Sequence, residues 1–497
     1  MDKFPVKSQT MEASLVADAE AAMLWEHSLT PSRAMKLYSK AVFYGAFVSL
    51  TLVMEGFDTK ILGSLYAVPA FREAYGEQLP DGSYQISAPW QSGLGSIMGV
   101  TNIIGMFLGG WATERFGFRI TMMTTLTSMP PIIFGFFFAP SLAVLAVTIF
   151  LFAIPLGIFQ TALGQLLNAV VFRGTLTLPS PWTYRVPFAL QWFWPILIIG
   201  GVYAAPESPW WLVRQGRLED AQAAVSRLTS EELDIDTQKL ISLMVYTTEH
   251  ERQVESGTSY LACFKGTNLR RTIIVIGVYL MQLLTGSQFR GYMTYFFLQA
   301  GLPTDQSFNM TIVALVLSVL GVLGAWIVMT YTGRRTMYLW GGALTIAIFT
   351  AIGGMGVKLH ISSSSAMAWA IGSLIAVDGF VANLLVLPVT FVLVSEIPSS
   401  LLRSKSVVIA RNFYSAINIL AGVMTPYMLN PTAWNWGALA GFFWAGASII
   451  GFVFTFFMVP ESKGRTTAEM DILFEQKVHT RRFKEAEVSF TNIEESK

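Results

Sequence analysis

Charge is scarce in this sequence: of 497 residues only 13% are Asp, Glu, Lys or Arg, against 53% apolar. A soluble globular chain carries about 25% charged residues, so a mean hydropathy of +0.51 makes lipid the main solvent. The few charges also balance, 33 basic against 32 acidic for a net +1, which excludes nucleic-acid binding through a basic field. A single cysteine, Cys263, rules out an internal disulfide framework, and four scattered histidines leave no spacing for a structural zinc. No nucleophile with its base, phosphate-cradling glycine loop or metal cluster is legible, so neither an enzyme nor a bound cofactor is expected.

A bilayer core of about 30 Å needs about 20 apolar helical residues. Such stretches run near 41–66, 90–111, 119–138, 141–161, 186–205, 271–298, 308–331, 336–357, 366–394, 405–429 and 436–459, with a short apolar remnant at 162–172. The expected fold is therefore an all-α membrane protein with eleven spans and a half-helix. Residues 1–40 read as a polar tail without a cleavable signal peptide, because Glu12, Asp18, Glu20 and Glu26 interrupt every apolar run. Residues 41–205 form a first membrane half, 206–270 a polar linker of short helices, 271–460 a second half and 461–497 a second tail. Arg115 and Arg119, Arg334 and Arg335, Arg403 and Lys405, and Lys463 and Arg465 mark one side, which the positive-inside rule makes cytosolic together with both termini. Asn309 begins the one acceptor sequon, on the opposite side, and its closeness to the membrane speaks against its use.

An internal repeat supports two halves. GGWATERFGFR at 109–119 answers TYTGRR at 330–335, and PESPWWLVRQGR at 206–217 answers PESKGR at 460–465. From Gly117 to Pro206 is 89 residues and from Gly333 to Pro460 is 127, so the first half is 38 residues short.

Further pieces are EGFDTKILGS at 55–64, VPAFREAYG at 68–76, PFALQWFWP at 187–195, LTGS with FFLQAGL between 284 and 302, and LPVTFVLVSEIPSSLLRSKSVVIARN at 387–412. Together, from about residue 41 to 475, the sequence resembles the sugar porters of the major facilitator superfamily, most nearly the fungal maltose and α-glucoside proton symporters. The resemblance implies the major facilitator fold of two six-helix halves, here with the first incomplete. It also implies a monomeric plasma-membrane carrier of sugar and protons, with no metal.

Glu55 and Asp58 share a face of the first span, and burying either anion in hydrocarbon is costly. The resemblance gives Asp58 to proton coupling, with Glu55 as its neighbour; the residues alone equally allow a structural acid at a hydrated helix end. Gln282 and Thr285 carry groups suited to sugar hydroxyls, and Gln282 falls near mid-membrane, where carriers hold substrate. The family pattern extends the sugar contacts to Gln288 and Tyr292, and to Phe391 in the place of a stacking aromatic, with Asn383 and Asn412 as further partners. Each also suits plain helix packing. Asp378 is a buried acid without an assigned partner. Glu114, Arg115, Gly117 and Arg119, Gly333, Arg334 and Arg335, and Glu396 with Arg403 match gate and latch positions, although Thr330 and Tyr331 replace the usual charges of the second copy. Ile149 and Asn102 stand where charges are common, which weakens the case for proton coupling.

The shortfall begins after FQT at 159–161. Eleven helical residues at 162–172 reach about 16 Å, half a bilayer, so 141–172 cannot make two full crossings. The expectation is a half-helix packed against the fourth span, with a polar breach at the cytosolic side. A non-transporting sugar sensor or an inactive truncated carrier are the alternatives; a sensor would carry a tail longer than the 37 residues from Glu461.

Overall fold

Lipid offers the backbone no hydrogen-bond partner, so each crossing must satisfy its own amides as helix. The computed structural model describes residues 9–80, 82–156, 163–176, 178, 180–230, 236–256, 259–361, 365–399, 402–465, 467–483 and 485–486. Among these, nine helical stretches are long and apolar enough to cross a membrane, with a shorter apolar helix at 142–154.

The chain begins with α1 (Gln9–Ser28) and α2 (Pro31–Leu37). The first span is α3 (Ser39–Leu65), and α4 (Pro69–Tyr75) leads into a two-residue hairpin, β1 (Glu77–Gln78) with β2 (Tyr84–Gln85). Then α5 (Ala88–Phe116) and α6 (Phe118–Phe137) cross in opposite directions. Next come α7 (Leu142–Leu156), α8 (Leu163–Thr175), α9 (Ser180–Leu190) and α10 (Phe193–Ala204), which close the first half. The linker holds α11 (Pro209–Arg214), α12 (Leu218–Leu228) and α13 (Thr237–Ser256). In the second half, α14 (Gly266–Leu284), α15 (Ser287–Gly291) and α16 (Met293–Gln299) form one broken span. It continues through α17 (Thr304–Tyr331), α18 (Arg334–Ile361), α19 (Ser365–Val381), a π-helical turn at Ala382–Val386, α20 (Leu387–Glu396), α21 (Arg403–Leu429) and α22 (Ala440–Met458), and α23 (Thr467–Glu475) follows.

The largest apolar cluster lies away from the basic end and joins both halves there, with Phe71, Phe172 and Phe188 from one and Phe289, Phe296 and Phe308 from the other. Hydrogen bonds between the halves gather at this far end. Ser92 Oγ donates to Val423 O at 2.9 Å, Asn430 Nδ2 to Ile86 O at 2.8 Å, and Arg173 Nε to Asn309 Oδ1 at 2.7 Å. Outside the spans, α1 is more than a polar tail. Its Leu15, Ala22 and Trp25 pack with Leu212, Val225 and Ile241 of the linker.

The short first half is resolved in an unforeseen way. The described parts of α7 and α8, 15 and 13 residues, span roughly 22 Å and 20 Å, each less than a bilayer core. Both are rooted at the far end: α7 starts beside Ala139, whose carbonyl accepts from Tyr75, and α8 ends at Arg173, bonded to Asn309. α7 runs inward from the far face and α8 runs back to it, so the parity of the later spans is kept and PESPWWLVRQGR stays with the basic end. The expected packing of the half-helix against the fourth span is corrected. The fourth span, α7, packs on α5 and α6, whereas α8 packs on α3, α9 and α17. Asn168 fixes it to α3, accepting from Ser64 Oγ at 2.8 Å and donating to Phe57 O at 3.1 Å. The residues between α7 and α8, 157–162, lie outside the described ones.

The repeated motifs meet in space. Gly117, at φ +93°, ends α5 and opens α6, and the Glu207 carboxylate caps the new helix by accepting from Phe118 N at 3.0 Å and Arg119 N at 3.1 Å. In the second half, Glu461 accepts from Arg334 N at 2.8 Å. A Cβ at Gly117 or Gly333 would meet these carboxylates at 2.5 Å or 2.1 Å and push them from their capping places, and at Gly117 the positive φ itself favours glycine. Arg115 lies by the Trp111 and Phe116 rings, Arg119 donates to Tyr203 O, and the Glu114 carbonyl accepts from Trp211 and Gln215. Arg335 donates to Phe456 O at 2.8 Å. Glu396 takes Arg334 at 3.4 Å and Ser462 Oγ at 2.5 Å as partners, while Arg403 begins α21. Replacing the capping acid, Glu207→Ala, strands two helix-opening amides and costs about 2 kcal/mol. In detergent its apparent Tm should fall by several degrees while exposed Glu219→Ala leaves it unchanged; equal Tm values would refute the capping role.

Candidate functional site

Two polar centres interrupt the apolar interior. The first is on α3. Asp58 is 1% exposed, and its Oδ1 accepts from Gln191 Nε2 at 2.7 Å, while Oδ2 has no hydrogen-bond partner among the described residues. Phe136, Ile149, Phe152 and Met98 wall this carboxylate in, so Ile149 leaves the acid an apolar neighbour where a charge is common. Glu55 is buried one turn back on the same helix. Gln191 was not singled out from the sequence, although it sits within PFALQWFWP; an amide inside an apolar run was the available signal.

The second centre exists because the seventh span breaks. Gly286, at φ +80°, stops α14, and the backbone turns again before α16. This frees carbonyls at mid-membrane, and cationic side chains take them up. Arg290 Nη1 donates to Thr285 O at 2.6 Å and to Asp378 Oδ2 at 2.6 Å, and Lys60 Nζ donates to Arg290 O at 3.1 Å. Arg290 is thus the partner of Asp378 that the sequence did not disclose. The basic group was hidden in a span read as apolar from 271 to 298.

A cavity of about 410 Å³ adjoins this break, with Lys60, Gln282, Ser287, Arg290 and Asn383 as its polar lining. Gln282 presents an Oε1 that has no partner among the described residues. Asn383 sits in the π-helical turn that precedes Pro388, its Nδ2 donating to Gly379 O at 2.8 Å. The other residues that the resemblance gives to sugar lie elsewhere. Thr285 is fully buried and donates to Gln282 O. Gln288 donates to Asn418 Oδ1 at 2.6 Å, which brings in an asparagine the sequence reading passed over. Tyr292 stacks on Tyr66 at 6.3 Å, closing the far end. Phe391 is 55% exposed, and Asn412 is exposed on α21; neither lines the cavity.

Residues 45–163 and 159–474 match the profile of a family described as sugar (and other) transporter, the two stretches meeting where the first half is short. A general alpha-glucoside permease of Saccharomyces cerevisiae is 36% identical over 504 residues, covering 95% of this chain and 81% of the permease. Maltose permease MAL31 of the same yeast is 35% identical with the same coverage. Both matches run over more positions than this chain possesses, so the relatives have residues without a counterpart here. Among solved structures, the inward open conformation of the xylose transporter XylE from E. coli aligns with a TM-score of 0.66 at 18% identity, covering 86% of this chain and 98% of that one; the likeness is of fold.

The ion pair yields a prediction. Arg290→Met alone leaves Asp378 buried without its partner and costs roughly 3–5 kcal/mol. Adding Asp378→Leu should recover much of that loss. Gel-filtration profile and apparent Tm read both variants; a double variant as unstable as the single one would overturn the pairing as the cause.

Proposed function

Since the chain belongs to the sugar (and other) transporter family, we propose that it carries maltose-like α-glucosides together with protons by alternating access. The observation that carries this reading is the break in the seventh span, which sets Gln282 and Asn383 against a cavity of about 410 Å³ at mid-membrane. A sugar hydroxyl donating to Gln282 Oε1 would supply the partner this buried atom lacks. Tyr66 and Tyr292 close the far end above it, as in a carrier facing the cytosol. The basic end is then cytosolic with both termini, the membrane is the plasma membrane, and the carrier works as a monomer.

Coupling rests on Asp58. With one oxygen held by Gln191 and the other without a partner, its carboxylate can take a proton at Oδ2 while keeping the Gln191 bond. Protonation removes a charge that burial makes costly, which lets the loaded carrier rearrange. Glu55 is the second acid on that face. The corners held by Glu207 and Glu461 act as gate elements that travel with each half, and Glu396 links Arg334 to Ser462.

The short stretch from α7 to α8 favours a second reading, a carrier of low activity, since the residues from Leu142 to Thr175 are too few for two full crossings. Labelled maltose uptake by this chain and by a form with the missing hairpin restored, at matched surface levels, separates the two. Uptake should be far higher in the restored form; equal uptake removes the second reading, and none in either form removes the first.

Two substitutions in the restored form test the residues. Gln282→Ala should raise the apparent KM for maltose about tenfold, since one lost hydrogen bond is worth about 1–1.5 kcal/mol; an unchanged KM takes Gln282 out of the site. Asp58→Asn should abolish sugar-driven proton entry while leaving sugar exchange, and retained proton entry would shift coupling to Glu55.

A further inference from the structure

One face of α17 has two different neighbours along its length. Toward the far end it meets α8: Phe308 stacks on Phe172 at 6.0 Å, and Thr311 and Leu315 share a small void with Asn168 and Ala169. The same stripe continues through Ser318, Val319, Val322 and Trp326, spaced three and four apart and so on one side of the helix. These residues wall the cavity. Trp326 and Leu323 are 64% and 47% exposed, so the wall runs out onto the apolar surface of the bundle. Among the described residues, the cavity therefore opens sideways along this wall toward hydrocarbon.

Its inner end is cationic. Arg290, 7% exposed, commits Nη1 to Asp378 and Thr285 O, and its Nη2 has no partner among the described residues. Lys60 donates to a neutral carbonyl, and no carboxylate among the described residues pairs with it. Two cations against one carboxylate leave an excess positive charge at hydrocarbon depth, where an unpaired ion is costly. An uncharged sugar cannot balance it, and a small soluble anion would leave the wall of Leu315, Val319, Val322 and Trp326 uncovered.

We propose that this cavity takes an anionic single-chain amphiphile sideways from the bilayer, a fatty-acid carboxylate or a comparable lipid phosphate. Its head pairs with Lys60 and Arg290 Nη2, and its chain leaves along the α17 wall past Trp326 toward hydrocarbon. The proposal does not depend on sugar transport. Charge selects the head and the lateral opening admits the chain, so both must be present for binding.

The test uses the full chain in nanodiscs of neutral phosphatidylcholine, photolabelled with a diazirine-bearing stearate and mapped by peptide. Labelling should concentrate in residues 318–326 and be competed by oleate at least fivefold better than by oleyl alcohol or by acetate. Lys60→Gln should lower labelling of that peptide about fivefold, Lys60→Arg should retain it, and Val322→Trp should block it by filling the wall. Competition by oleyl alcohol equal to that by oleate would mean simple partition of a chain, and competition by acetate equal to that by oleate would mean a site for free small anions. Either result overturns the proposal on the unaltered protein, whether or not a variant folds.

Discussion

At Gly286 and again at Tyr292 the seventh span interrupts its regular helical hydrogen bonds, and lipid supplies nothing in exchange. Arg290 answers that deficit. A single guanidinium ties Thr285 O to Asp378 on the tenth span, and its own carbonyl receives Lys60 from the first. Three spans from both halves thus meet on one residue, and the cavity with Gln282 and Asn383 lies beside that meeting. A straight α-helix here would bury the same residues without giving any of them a reason to be polar.

The same requirement explains what happens to the shortened first half. A chain too short for two crossings cannot leave its amides half-satisfied in hydrocarbon, so the described parts of α7 and α8 are helical throughout. Asn168 then replaces packing that a longer helix would supply, bonding to Ser64 and to Phe57 O.

Much of the fold was legible because lipid makes composition a direct record of depth. The apolar runs, the basic corners and the paired PES motifs needed no tertiary knowledge. The reading of 141–172 failed on packing because an apolar remnant does not name its neighbours; Asn168, one of the few amides in it, was the clue to α3. The broken span was written as one run from 271 to 298, since Gly286 and Arg290 are two residues among many apolar ones. Arg290 and Asp378 lie 88 positions apart, and no periodicity joins them. Gln282 was legible through its motif, whereas Phe391 and Asn412 match motif positions yet sit outside the cavity lining. Motif spacing fixes the place in sequence and leaves the rotation of the helix to its neighbours.

The Glu207 cap has a topological consequence. By holding the start of α6 to the end of the first half, it turns everything between Gly117 and Pro206 into a closed circuit whose two ends are fixed whatever the contents. Closure entropy grows only with the logarithm of circuit length, so a circuit of 89 residues in place of the 127 in the second half changes that term by about 0.3 kcal/mol. Segments can be excised from inside such a circuit with little effect on where the rest of the chain is anchored, and the loss is felt as missing wall rather than as a displaced frame.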